Sequence, residues 1–154
     1  LLTRQRLGYF TMQRPTEYEN LIKAGYFHEV EPTSGFKEQY LKVAEGYLQD
    51  AAQATTTASR YLLGYEAYYQ VVQAVLEHFG VRAADRQGHR TVAIQRVSAD
   101  LELSPGELKL ITDCHNRRNE SVYRAPLPPI TVQEADAMLQ LAKKTFLTAA
   151  KKIA

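Results

Sequence analysis

The chain has 154 residues, is 45% hydrophobic and 23% charged, and carries a formal net charge of +2 at pH 7 with a single cysteine, Cys114. That length fits one domain over residues 1–154, large enough to fold on a hydrophobic core alone. The lone cysteine excludes an intramolecular disulfide and a cysteine-rich zinc site. A charge so close to zero excludes a nucleic-acid or membrane partner drawn by the whole-molecule field, so any such case must rest on local clusters.

The opening Leu1-Leu2-Thr3-Arg4-Gln5-Arg6 has neither an initiating Met nor a hydrophobic signal region, which leaves a start inside a longer protein open. Thr16-Glu17-Tyr18-Glu19 then has the spacing of a capping box, and Gly25 can supply the left-handed stop of a short helix. Glu31-Pro32-Thr33-Ser34-Gly35 reads as a turn closing an N-terminal arm over 1–35, ahead of a bundle over 36–154.

From Lys37 to Ala54, Tyr40, Val43, Ala44, Tyr47, Leu48 and Ala51 recur at three- and four-residue steps, the stripe of an amphipathic helix. Ser59 to Phe79 repeats the rhythm with Leu62, Tyr65, Tyr69, Val72, Leu76 and Phe79, and Gly80 marks its end. Glu66, Glu77 and His78 make that segment too polar to span a bilayer, so no membrane is expected, and the lone cysteine is compatible with a cytoplasmic location. Val81 to Gly88 reads as a solvated loop before a shorter helix, His89 to Leu101, whose stripe is Ile94, Val97 and Leu101.

Ser104-Pro105-Gly106-Glu107 is a capping box with Pro at the first helical position, starting a helix that stops by Ala125. Pro126, Pro128 and Pro129 form a rigid connector. Thr131-Val132-Gln133-Glu134 caps the last helix, with Val132, Ala135, Leu139, Ala142, Phe146, Ala149 and Ile153 inward. With no alternating strand pattern of useful length, the expectation is an all-α, up-and-down bundle of four long helices, with a short helical arm in front and a shorter helix after the second long one.

The helix after Pro105 breaks its own pattern. Leu108, Ile111, His115, Arg118 and Val122 follow core-facing steps, yet two of them are polar, and a guanidinium in a core needs a partner or a cleft. Asn119 lies four residues from both His115 and Tyr123, so a polar cluster can form on one face. Two readings stay open from periodicity: a functional cleft, or Arg118 paired with a carboxylate such as Glu66 or Glu45 to fix helix register. Tyr61, Tyr65, Tyr68 and Tyr69 read as core rather than as a stacking platform. Arg82, Arg86, Arg90 and Arg96 outline a basic rim near the shorter helix, where His89 reads as a helix-start residue, and Lys143, Lys144, Lys151 and Lys152 form a solvated face. No phosphate loop, His-Glu-x-x-His helix or serine-hydrolase motif occurs, so no cofactor or metal is expected.

Arg118-Asn119-Glu120-Ser121-Val122-Tyr123 resembles the Arg-Asn-x-x-x-His element of HEPN proteins, with Tyr123 in the place of His. The similarity extends loosely from Leu21 to Ile153 through the order of lead-in, two long helices, a His-bearing start at His89, motif helix, Pro-rich break and last helix. The resemblance implies a helical bundle that is RNA-associated, as in toxin–antitoxin or defence systems, and commonly dimeric. It implies ligand contacts at Arg118, Asn119 and Tyr123, and Arg117, next to the motif, is a further ligand candidate. Active relatives cleave RNA without metal, with Arg stabilising phosphate and His moving a proton. A tyrosine of ordinary pKa, about 10, is a far poorer acceptor than His, so catalysis would need Tyr123 or a substitute such as His115. Three functions follow: an RNA- or nucleotide-phosphate-binding homodimer without strong catalysis, an active metal-independent ribonuclease, or an adaptor for an antitoxin or nucleotidyltransferase partner.

Overall fold

The computed structural model describes residues 14–154, so the expected arm is seen from Arg14 onward and residues 1–13 lie outside it. Among the described residues six helices and a two-stranded ribbon follow in the order α1 (Glu17–Lys23), β1 (Phe27–Glu29), α2 (Phe36–Gln53), α3 (Thr57–His78), β2 (Val81–Ala83), α4 (His89–Asp100), α5 (Pro105–Tyr123) and α6 (Val132–Lys152). The expected up-and-down bundle is therefore present, with α2, α3, α5 and α6 long and α4 shorter.

Helix α3 is the axis. Tyr61, Tyr65, Ala67, Tyr68, Val71, Val72, Ala74 and Leu76 point in several directions and all are buried, because α2, α4, α5 and α6 surround it. Each large side chain so buried contributes about 1.5–3 kcal/mol, which makes this helix the largest single contributor to the core. Gly64 sets its approach to α6, since a Cβ there would lie 3.3 Å from Met138 Cγ. The tyrosines are core, as their spacing implied.

The local signals are accurate where both halves of a cap are free to meet. Ser104 accepts from the Glu107 N–H while the Glu107 carboxylate accepts from the Ser104 N–H, and Thr131 and Glu134 repeat the exchange. The expected box at Thr16 does not form. Thr16 is itself helical, and the Glu19 carboxylate is taken by the buried Arg14, which also donates to the Phe79 carbonyl at 3.0 Å and pairs with Glu29. Gly25, at φ +83°, closes α1 as expected, with Tyr26 N–H donating to the Leu21 carbonyl and Gly25 N–H to that of Ile22.

Three expectations are corrected. Val81 to Gly88 is not wholly a solvated loop: Val81 is buried, and β2 pairs antiparallel with β1, Phe27 opposite Ala83 and Glu29 opposite Val81. The ladder continues through Val30 N–H to the Gly80 carbonyl and Ala84 N–H to that of Tyr26. This ribbon fastens the arm to the end of α3 and places the segment Asp85–Gly88 beside α4. Val43 and Val132, expected inward, are 41% and 54% exposed, each at the margin of its helix's apolar stripe. The core-facing run of α5 also stops short. Ile111 and His115 are buried, but no residue from Asn116 to Tyr123 is, and Val122 is 57% exposed. Among the described residues no helix is long and apolar enough to cross a membrane.

Candidate phosphate-binding cavity

Because the last two turns of α5 leave the core, a groove opens between them and the start of α4. It is a cavity of about 830 Å³ whose walls are the Asp85–Thr91 segment and, from α5, His115, Asn116, Arg118, Asn119, Glu120, Tyr123 and Arg124. Four arginines, Arg86, Arg90, Arg118 and Arg124, meet two carboxylates there, Asp85 and Glu120.

The floor is a polar chain built on α3. His115 places Nδ1 2.7 Å from the Tyr65 hydroxyl and Nε2 3.1 Å from the Asn119 amide nitrogen, with the Thr91 hydroxyl at 3.3 Å. Arg118 donates to Asn119 Oδ1 at 3.3 Å, which turns the amide nitrogen toward His115. Nε2 is then an acceptor, so the imidazole proton sits on Nδ1 and is donated to the Tyr65 oxygen. Arg90 donates to the same oxygen at 3.4 Å and lies 4.0 Å over the Tyr69 ring. Burial, with Arg90, Arg118 and His89 nearby, holds the His115 pKa down at about 4, so the ring is neutral at pH 7. Burial pushes the Tyr65 hydroxyl up to about 12.

The arginines differ in how far they are committed. Arg118 Nε lies 3.5 Å from Glu66 Oε1, both side chains 25% exposed, so the expected pairing with Glu66 is present and remains open to the cavity. Arg118 therefore interrupts no apolar seam; it stands on a solvated rim. Arg86 packs 4.3 Å over Tyr26 and reaches the Ala24 carbonyl at 3.4 Å. None of Arg86, Arg90 and Arg124 has a carboxylate within ion-pair distance among the described residues.

Of the residues singled out in the sequence, Arg118, Asn119, Tyr123 and His115 share this cavity. Arg117 does not line it: it pairs with Glu134 at the start of α6 and lies 5.9 Å over the Tyr61 ring. Tyr123 is at the mouth and 76% exposed. Arg96, expected on the basic rim, is at the far end of α4, bound to Asp100. His89 starts α4 as expected and lines the cavity too, its Nδ1 2.9 Å from the Arg86 carbonyl. Thr91 and Arg124 were missed, as was the support from Tyr65 and Tyr69, whose helical spacing reads only as core.

Cys114 is buried behind the site, where burial pushes its thiol up to about 12 and removes it as a nucleophile. Among the described residues no three His, Cys, Asp or Glu side chains are grouped as metal ligands.

The site thus belongs to the class of cationic grooves on helical bundles, with fixed amide and hydroxyl donors beneath arginines. Comparison with protein-family models, curated proteins and solved structures finds no match to this chain.

Proposed function

We propose that this is a HEPN-like protein that binds RNA or nucleotide through phosphate in the α4–α5 cavity, as a homodimer and without strong intrinsic catalysis, in a toxin–antitoxin or defence setting. The observation that carries the reading is the convergence of Arg86, Arg90, Arg118 and Arg124 on one cavity, three of them without a carboxylate partner among the described residues. An anion entering there meets guanidinium donors already positioned by Tyr69, Glu66 and Tyr26. Charge-assisted hydrogen bonds of that kind are the strong ones. Tyr123 at the mouth adds an aromatic face on which a base can stack. The exposed apolar side chains Val122, Tyr123 and Val132, at the end of α5 and the start of α6, support the homodimer.

Weak catalysis follows from the same geometry. His115 is held near pKa 4 and its Nε2 already accepts from Asn119, so it is a poor proton acceptor at neutral pH. The test is anisotropy of a labelled single-stranded RNA at fixed salt. Arg118→Ala is expected to weaken binding about tenfold with helicity by circular dichroism unchanged. Equal binding by that variant contradicts the reading. RNA left intact in EDTA is expected, and cleavage lost in Arg118→Ala would establish the ribonuclease alternative instead. An absence of RNA binding together with a co-purifying nucleotidyltransferase or antitoxin would establish the adaptor.

A further inference from the structure

A second, smaller cavity of about 180 Å³ adjoins the first, and His89 lines both. One ring separates their other walls: Tyr69 lines the smaller cavity while carrying Arg90, a wall of the larger, 4.0 Å over its face. Ligand cavities commonly measure about 300–1,000 Å³. The larger space falls in that range and the smaller below it, so the smaller suits part of a molecule whose remainder sits next door.

Its walls are chemically specific. Tyr40 supplies aromatic surface, the Tyr69 ring being buried between Arg90 and Tyr65, and Gln73 supplies an amide that both donates and accepts. The Gln73 amide, the Tyr40 hydroxyl and the Arg82 guanidinium have no hydrogen-bond partner among the described residues. Glu77 is buried there with Oε1 accepting from the Thr33 N–H at 2.6 Å. The Tyr40 ring with an unspent amide at Gln73, beside the exposed Arg82, matches a planar heterocycle with donors and acceptors on its edge. These walls do not match a second phosphate, which Glu77 would repel.

We propose that this smaller cavity is a nucleobase pocket reading the base attached to a phosphate held among Arg90 and Arg118, so that the ligand unit is a nucleoside phosphate. The proposal rests on the phosphate reading above and adds the base to it. Gln73 is the specificity-determining side chain, and the shared His89 edge is where the sugar crosses.

The test is a set of NMR titrations of the full chain with ribose 5-phosphate and with AMP, GMP, CMP and UMP, for the wild type, Gln73→Ala, Tyr40→Phe and Arg118→Ala. At least one nucleotide is expected to bind about tenfold more tightly than ribose 5-phosphate, the discrimination of a two-point amide contact to a base edge. Gln73→Ala should remove that increment and leave ribose 5-phosphate binding unchanged, whereas Arg118→Ala should weaken every ligand alike. Tyr40→Phe, which keeps the ring and the fold, should reduce the increment only partly. If no nucleotide exceeds ribose 5-phosphate, or if Gln73→Ala leaves the increment intact, the base pocket is overturned while Arg118-dependent phosphate binding stands. If no phosphate ligand binds in any arm, both readings fall together.

Discussion

Protonating His115 should destabilise the fold over a defined pH window. The imidazole has an ordinary pKa of 6.5, and burial together with Arg90, Arg118 and His89 lowers it to about 4 in the folded protein. The unfolded chain therefore takes up this proton first as pH falls. The stability tied to a neutral His115 is fully present above pH 6.5, is lost progressively below it, and is gone below about pH 4. At about 1.36 kcal/mol per pH unit the full span is worth at most ~3.4 kcal/mol. Nε2 borders the open cavity, and solvent screening there brings the expected loss to about 2 kcal/mol. Urea unfolding of the wild type and His115→Gln from pH 7 to pH 4 isolates the term, because carboxylates titrate equally in both. The wild type should lose about 2 kcal/mol more than the variant. Parallel curves for the two proteins, or a His115 NMR titration near 6.5, would refute the placement of this ring in a buried cationic surround.

Other perturbations test separate links. Thr131→Ala and Ser104→Ala each remove a reciprocal cap and should each cost about 1 kcal/mol in urea unfolding, without changing RNA affinity. Tyr65→Phe leaves the His115 Nδ1 proton and Arg90 without their shared acceptor. It should cost about 1–3 kcal/mol and weaken RNA binding by loosening Arg90. Gly64→Val places branched carbon against Met138 across the tight α3–α6 crossing and should cost about 1–3 kcal/mol, read as a lower thermal midpoint. Bound phosphate near Arg90 and Arg118 should raise the His115 pKa above its ligand-free value, followed by NMR with and without ribose 5-phosphate.

How much was legible depends on the distance over which each feature is determined. The boxes at Ser104 and Thr131 are settled within four residues, and the sequence locates both helix starts correctly. Thr16 has the same spacing, but its partner Glu19 is diverted by Arg14, a competition no local pattern contains. The β1–β2 ribbon joins strands of three residues more than fifty positions apart, too short for alternation and without a hairpin turn to announce them. Arg118, His115 and Asn119 stand out as polar residues where a helical stripe breaks, and Tyr123 through the motif resemblance, and all four line one cavity. The reason was only half right, since the stripe ends at His115 and Arg118 stands on a solvated rim. Arg117 is adjacent to Arg118 in the sequence, yet neighbours on a helix point about 100° apart, and Glu134 holds it elsewhere. Arg90 lay in a run of arginines readable only as a basic rim. Its role needs Tyr69 beneath it and Tyr65 beside it, which is tertiary information.

The most direct test of phosphate recognition in the α4–α5 cavity is a backbone amide NMR titration of the whole chain with a short single-stranded RNA at low salt. Binding there predicts shifts concentrated in residues 85–91 and 115–124, diminishing as salt rises. Shifts confined to the lysine-bearing face of α6, or no shifts at all, would contradict it.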